Sequence, residues 1–167
     1  MNEIYKTISG FDNYEVSTFG NVRNKTTGRI LKGSITNKGY YRISLNLNRK
    51  EYKHFIHRLI AIAFIENPEN KDFIDHIDNN RINNSISNLR WATNQENSRN
   101  RKISNNNTSG VKGINFDKGS NKWRALIQID GIRVHLGYYL TLDEAKQARI
   151  NKANAVFGAF INACEKI

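Results

Sequence analysis

The sequence predicts a modular α+β protein, in which small β-sheets and short helices form several compact units. Apolar and polar residues alternate with a period of two over Tyr41–Leu47 and over Lys122–Asp130, the pattern of half-buried strands. Turn-forming glycine and asparagine residues recur between such segments, so the strands are short. Hydrophobic residues make up 38% of the 167 residues, which permits small cores and implies no single large one.

The N-terminal part of the chain predicts short strands followed by one helix. Residues 1–35 carry apolar pairs separated by turn residues, which indicates small strands and turns. After the strand at Tyr41–Leu47 we expect a turn at Arg49-Lys50 and a second strand over Tyr52–Ile56. A short helix follows, because four apolar residues stand at helical spacing: Leu59, Ile60, Ala63 and Phe64. Pro68 helps to end that helix.

Residues 72–100 predict a strand, a polar loop, a second strand and a helix. The strands are expected at 73–77 and 89–92, and the helix is expected to begin at Thr93 or Asn94. Residues 99–109 contain few apolar and several basic side chains, which is typical of a linker.

From Gly110 onward the pattern predicts a separate unit of three strands and one helix. The strands are expected near 111–117, 122–130 and 132–138. Asp130-Gly131 is a strong hairpin signal. Thr141 and Glu144 form a capping box, and the helix that they open is expected to reach about Phe157 and to end at Gly158. Its apolar stripe suits packing on a sheet: Ala145, Ala148, Ala153, Val156 and Phe157.

The charge balance favours a polyanionic partner. Lys and Arg number 26 and Asp and Glu number 15, for a formal net charge of +11. Residues 1–100 carry 15 basic and 10 acidic side chains and residues 101–167 carry 11 and 5, so both parts are suited to contact nucleic acid. A membrane is not an expected partner, because the chain has no long apolar run and no basic amphipathic helix.

Cysteine usage and the N-terminus favour an intracellular, cytoplasmic protein. Cys164 is the single cysteine, so the chain forms neither an internal disulfide nor a cysteine-based zinc site. The first ten residues lack the charged-then-apolar order of a signal peptide.

Four polar residues form the constellation that indicates chemistry: Asp75, His76, Asn88 and Asn97. Cutting a phosphodiester needs an activated water and relief of charge on the leaving oxygen. A histidine serves the first need and a divalent metal the second. Asp75 and Asn97 are the ligand types that suit Mg²⁺ or Mn²⁺. Because neighbouring residues on a strand point to opposite faces, Asp75 and His76 should diverge unless the strand ends there.

The run from His54 to Asn100 resembles the HNH domain of phage- and intron-associated homing endonucleases. The matching pieces are the His-Arg opening, the Asp-His pair, the Asn-Leu-x-Trp strand and the final Asn on a helix. The resemblance implies a ββα-metal fold, with His76 as the general base and Asp75 and Asn97 as ligands of one metal. It implies that Asn88 braces the loop, and that the protein works in a bacterial or phage-infected cell.

The flanking segments resemble two further modules. Residues 1–53 resemble a β-rich motif that precedes such nuclease domains, although members usually carry Trp where Tyr5 stands. After a basic linker at 101–109, residues 110–167 resemble the Apetala-2/ethylene-response-factor domain, whose open sheet face enters the DNA major groove. Plant members carry Trp at the position of His135, so the base preference does not carry over. The expected DNA contacts are Arg99, Arg101 and Lys102 near the linker and Lys112, Asn115, Arg124, Gln128, Arg133 and His135 in the domain.

Simpler roles remain open for several residues. Asn94 lies one helical turn before Asn97 and is either a rival ligand or a helix cap. His54 and His57 are either metal ligands or structural, and Trp91 belongs either to the core or to a base-stacking surface. The 78–80 segment lacks the glycine and distal glutamate of a calcium loop and suits a polar turn. The basic linker is either a solvated tether or a phosphate contact.

Together these features predict an enzyme that hydrolyses double-stranded DNA with a divalent metal, acts as a monomer and has no evident protein partner. The main alternative is a DNA-binding regulator with a vestigial nuclease core, which loss of Asp75, His76 or Asn97 would indicate, and none is lost. RNA binding or cleavage is a third possibility, although no single-strand stacking module is evident.

Overall fold

The computed structural model describes residues 2–162 and 165, and Cys164 lies outside this range. The chain separates into two compact units, Met1–Thr93 and Asn94–Ile167. Each unit combines small antiparallel sheets or hairpins with short helices, so the fold is of the predicted α+β class. Within the described residues no helix is long and apolar enough to cross a membrane.

The N-terminal unit contains two three-stranded antiparallel sheets, a helix and a two-stranded hairpin. The first sheet consists of β1 (Tyr5–Ile8), β2 (Phe11–Ser17) and β3 (Val22–Asn24), and the second of β4 (Ser34–Ile35), β5 (Tyr41–Leu47) and β6 (Lys50–Phe55). Helix α1 (Ile56–Phe64) follows, and the hairpin pairs β7 (Phe73–His76) with β8 (Leu89–Ala92). A single 3₁₀ turn, Ile86–Asn88, precedes β8.

The turn between β5 and β6 lies one residue earlier than expected. Asn48 and Arg49 occupy it with φ angles of 51° and 61°, and Leu47 pairs with Lys50 across it. Two positive φ angles match the twist of the flanking strands, and asparagine tolerates that conformation better than most residues. Strand β6 therefore starts at Lys50 rather than at Tyr52, and Ile56 opens the helix instead of closing the strand.

Helix α1 is the centre of the N-terminal core. It contacts strands of both sheets and both strands of the hairpin. Ile56 and Ile60 are fully buried on it, together with Ile43 and Leu45 of β5. Each such side chain contributes roughly 1.5–3 kcal/mol by leaving water. Trp91 packs against this core and donates its indole N–H to the Ile65 carbonyl at 3.0 Å, so it has a structural role here.

The C-terminal unit has one sheet covered by one long helix. It contains helix α2 (Asn94–Arg99), strands β9 (Ile114–Asp117), β10 (Lys122–Ile129) and β11 (Ile132–Tyr139), and helix α3 (Leu142–Phe157). The strand order is β11-β10-β9, and the β10–β11 turn has the expected positive φ angles at Asp130 and Gly131. The capping box at Thr141 and Glu144 is confirmed, with both of its hydrogen bonds present.

The buried stripe of α3 differs from the predicted one. Ala145, Ala153 and Phe157 are buried as expected, but Val156 is exposed and Arg149 takes the intervening buried position. A buried guanidinium needs a partner, and Arg149 lies 2.7 Å from the equally buried carboxylate of Glu165. Burial raises the pKa of Glu165 although the neighbouring Arg149 and Lys112 charges oppose the rise.

The boundary between the units falls before α2, whereas the sequence placed a domain boundary after Asn100. The reason is the end of that helix. The Lys112 ammonium donates to the Arg99 carbonyl at 2.8 Å, and the Asn162 amide donates to the carbonyls of Asn100 and Arg101 at 3.0 and 2.7 Å. These hydrogen bonds join α2 to the C-terminal unit.

Candidate functional site

Asp75 is a buried carboxylate on strand β7. Arg90 stands directly opposite it on β8, and its Nε and Nη2 atoms donate to Asp75 Oδ2 at 2.8 and 2.6 Å. The side chain of Asp75 is only 4% exposed and that of Arg90 is 16% exposed. Charge-assisted hydrogen bonds of this kind are what make a buried carboxylate tolerable.

His76, the next residue, is also buried but contacts a different set of groups. Its Nε2 lies 3.2 Å from Oδ1 of Asn84, whose own amide donates to the Ile82 carbonyl at 3.2 Å. Asn84 Oδ1 can only accept, so this contact favours the His76 tautomer that carries its proton on Nε2. The two neighbours therefore diverge, as strand alternation requires.

Burial keeps His76 in its neutral form. It lowers the pKa of His76 below the ordinary histidine value, although the hydrogen bond to Asn84 and the nearby carboxylates of Asp78 and Asp75 favour the charged form. A neutral imidazole near neutral pH is the state that a general base requires.

His57 of helix α1 packs beside His76. The two ring centroids are 5.2 Å apart at 67°, and the rings of Phe55 and Tyr40 lie 5.5 and 5.2 Å from His57. Its Nδ1 has no hydrogen-bond partner among the described residues. Burial, with smaller effects of His76 and Arg58, lowers the pKa of His57 to about 3. His57 therefore packs against His76 as an uncharged aromatic ring.

Asn88 lies at the end of the loop that connects β7 and β8. Its amide donates to Asp78 Oδ1 at 2.9 Å and to the Asn83 carbonyl at 2.8 Å, and its Oδ1 accepts from the Asp78 backbone at 3.0 Å. The carboxylate of Asp78 also accepts from the Asn80 backbone and the Asn83 amide, each at 2.7 Å. The 78–80 segment is thus a hydrogen-bonded polar turn.

Asp75 and Asn97 are the ligand types that a hard divalent cation prefers, and each belongs to a different unit. Within residues 2–162 and 165 no group of three His, Cys, Asp or Glu residues could hold a metal. A single carboxylate with an amide oxygen is a different kind of site, one that suits an ion which keeps several waters. Asp75 supplies the buried carboxylate, while Asn97 and its rival Asn94 lie on α2 in the C-terminal unit.

The expected DNA contacts converge on one part of the C-terminal unit. A groove of about 920 Å³ is lined by both α2 and the sheet. Six of the nine expected contact residues line it: Arg99, Lys112, Asn115, Arg124, Gln128 and Arg133. In the strand pairing Gln128 lies opposite Arg133, and His135 lies opposite Leu126 on the same open face. Arg101 and Lys102 are exposed beyond α2.

Two of these residues have contacts that the sequence did not indicate. The Lys112 ammonium binds a carbonyl at the end of α2, as described above. The Arg99 guanidinium lies 4.4 Å from the Phe157 ring centroid and 3.4 Å from the Asp130 carboxylate. Both side chains therefore have structural contacts within the unit.

Sequence analysis did not identify Asn84 and Arg90 as parts of the site. Arg90 follows from the pairing of two strands that were both predicted, once their register is known. Asn84 is one of many asparagines in the loop, and no local pattern distinguishes it from its neighbours.

The depressed pKa of His57 predicts an acid-sensitive N-terminal unit. A histidine that resists protonation only when folded lowers the free energy of unfolding as the pH falls below about 6.5, by about 2 kcal/mol at about pH 5. His57→Phe, which keeps an aromatic ring in place, should remove about that much of the loss. Trp91 fluorescence in a Trp123→Phe background reports this unit during urea unfolding.

His135→Phe, on the exposed face of the other unit, is the control and should leave the acid loss unchanged. An equal loss in the His57→Phe and unchanged chains would show that His57 does not cause it.

Two segments of the chain match known family models. Residues 3–46 match the NUMOD4 motif and residues 54–99 match the HNH endonuclease family. The chain is 44% identical over 110 residues to an uncharacterized HNH endonuclease, L245, of Acanthamoeba polyphaga mimivirus, covering 66% of this chain and 32% of that protein. It is 41% identical over 90 residues to the DNA endonuclease I-HmuI of Bacillus phage SP01, covering 53% and 52%.

The chain thus spans about a third and about half of the length of these two relatives. The chain also matches a solved structure of I-HmuI, an HNH homing endonuclease that binds and cleaves DNA. The TM-score is 0.55 and the sequence identity is 33%. That match covers 79% of this chain and 76% of the other. On this combined likeness of sequence and structure, the chain belongs to the HNH endonuclease family.

Proposed function

We propose that the protein is a DNA endonuclease of the homing type, which hydrolyses phosphodiester bonds of double-stranded DNA with a divalent metal. The observation that carries this proposal is the buried neutral His76, held at Nε2 by Asn84 and adjacent to the buried carboxylate of Asp75. In this proposal the base and one metal ligand come from consecutive positions of β7, and each side chain is oriented by its own partner.

In this proposal each residue has one task. His76 takes a proton from water at Nδ1, because Nε2 already carries the proton that binds Asn84. Asp75 and Asn97 hold one Mg²⁺ or Mn²⁺ ion, as the family resemblance implies, and Asn88 braces the loop. The metal, when bound, supplies relief of charge on the leaving oxygen. Asn84 and Arg90 position His76 and Asp75.

We further propose that the C-terminal unit is the part that recognises DNA. Its sequence resembles the Apetala-2 domain, and the groove beside its sheet is lined by five basic side chains and one acidic side chain, Glu165, which is buried beside Arg149. Base edges specify a sequence, and phosphates position the protein. The open polar face of the sheet suits base contacts, and the arginines that line the groove suit phosphate contacts. The protein is proposed to act as a monomer. The phage origin of I-HmuI supports action inside a cell.

Replacing the base tests the proposed reaction. His76→Ala should lower the rate of plasmid nicking about 10²–10⁴-fold, the usual contribution of a general base, and leave DNA affinity within about threefold. His54→Ala, a histidine of the same unit that packs against Phe11, should stay within about threefold in rate. Nicking by His76→Ala at the unchanged rate would exclude it as the base. Absence of nicking in the unmodified chain, with intact DNA binding, would favour the vestigial regulator.

The two asparagines of α2 distinguish the proposed ligand from its rival. Asn97→Ala should raise the Mg²⁺ concentration for half-maximal nicking by about tenfold or more, whereas Asn94→Ala, the same change three residues away, should leave it nearly unchanged. Asp75→Asn should have a larger effect than Asn97→Ala because it removes the negative charge. We choose asparagine rather than alanine at position 75 because it keeps a side chain of the same size beside Arg90. A larger effect of Asn94→Ala would reassign the ligand.

Arg133 tests whether the sheet face reads bases. If Arg133 makes a bidentate contact with a base, Arg133→Ala should cost about 1–3 kcal/mol at one position of the target and leave other positions unchanged. Lys152→Ala removes the same charge from helix α3 and should preserve the cleavage map. The measurement is cleavage-site mapping on a fragment library. A uniform loss, with a salt dependence reduced by about 0.9 in slope, would mean a phosphate contact instead.

A further inference from the structure

Helix α2 is too short to hold its own shape. It has six residues, and isolated helices below about 12–15 residues are marginal in water. The last carbonyls of any helix lack partners within it and must be satisfied from outside. The contacts that supply those partners therefore determine where the side chains of α2 lie.

Those partners are two side chains that follow α2 in the sequence, Asn162 and Lys112. The Asn162 amide contacts three successive carbonyls, of Arg99, Asn100 and Arg101, at 3.5, 3.0 and 2.7 Å, from about sixty positions further along the chain. The Lys112 ammonium adds a hydrogen bond to the Arg99 carbonyl at 2.8 Å. A cation and an amide donor at a helix C-terminus also complement its dipole.

The HNH family match includes α2, although its anchor lies outside that match. Residues 54–99 match the family, while Lys112 and Asn162 belong to the following segment. Two residues before the anchored carbonyl of Arg99 stands Asn97. A donor set outside the nuclease segment thus holds the helix that carries a proposed metal ligand.

We propose that Asn162 and Lys112 are positioning residues of the nuclease, which fix the end of α2 and with it the orientation of the Asn97 amide. This inference rests on the proposed function, in which Asn97 is a ligand.

A substitution of Asn162 tests the positioning role without removing a DNA contact, which a substitution of Lys112 does not. It is 3% exposed, so its side chain is out of reach of a phosphate, whereas Lys112 is half-buried and lines the basic groove. A change at Asn162 should therefore affect the metal requirement without affecting DNA affinity.

The test uses Asn162→Asp in the full chain. Aspartate has nearly the same shape, removes both N–H donors and sets a carboxylate against carbonyl oxygens. We expect the Mg²⁺ concentration for half-maximal nicking to rise about tenfold, the lower end of the range for groups that orient ligands. The rate at saturating Mg²⁺ should stay within about threefold, and DNA affinity without metal within about twofold. The matched control is Asn154→Asp on α3, whose amide donates to Ile150 in its own helix.

Hydrogen exchange provides a second readout. In Asn162→Asp the amides of residues 95–101 should exchange faster while those of α3 do not. If the amides of α3 also exchange faster, Asn162→Asp has loosened the whole unit. The test is then the Mg²⁺ concentration for half-maximal nicking at saturating DNA, compared between Lys112→Met and Lys112→Arg. Arginine keeps a donor for the Arg99 carbonyl and should restore most of the metal affinity that methionine loses. Equal metal requirements in those two variants would then overturn the proposal.

The result for Asn97→Ala separates the two levels of inference. If Asn97→Ala raises the Mg²⁺ requirement and Asn162→Asp leaves it at the level of the unmodified chain, the positioning role is wrong and the ligand stands. If Asn97→Ala itself has no effect on the Mg²⁺ requirement, the ligand assignment fails.

Discussion

The packing of helix α1 against the β7–β8 hairpin is the interaction on which the N-terminal unit depends. A two-stranded hairpin is marginal by itself in water, yet this one buries both Asp75 and His76. Helix α1 makes that burial possible, because its apolar face covers the hairpin and both flanking sheets at once. Desolvating a carboxylate is costly, and the fork of Arg90 offsets the cost at the point where it arises.

The same burial sets the chemistry of the site. His57 enters from α1 as an uncharged ring, so no positive charge on it opposes proton uptake by its neighbour His76. A lowered pKa makes His76 a weaker base but keeps it unprotonated at neutral pH, and general-base efficiency balances these two effects. Asn84 orients the ring, since its acceptor oxygen favours the tautomer that carries the proton on Nε2. Packing, protonation state and tautomer thus arise from one arrangement of helix and hairpin.

Much of the fold could be predicted from the sequence, because its signals are local. Alternation located β5 and β10, and the Thr141 capping box and the Asp130-Gly131 turn were predicted correctly. The turn expected at Arg49-Lys50 lies one residue earlier, at Asn48-Arg49, because the polar residues there do not indicate which strand positions pair. Other features depend on contacts between distant residues: Arg149 occupies a buried position of α3 only because Glu165 meets it, and Asn162 reaches α2 across the length of the C-terminal unit.

Separating cutting from reading suits the physics of DNA, because phosphates offer no sequence information and base edges do. The HNH family match includes α2, whereas the hydrogen bonds at the end of this helix lie within the C-terminal unit. The Arg99 carbonyl at the end of α2 accepts from Lys112, and the next two carbonyls, of Asn100 and Arg101, accept from Asn162, so replacing those two side chains would remove hydrogen bonds from the end of a six-residue helix. The orientation of α2 therefore depends on two residues, Lys112 and Asn162, that follow the family segment in the sequence.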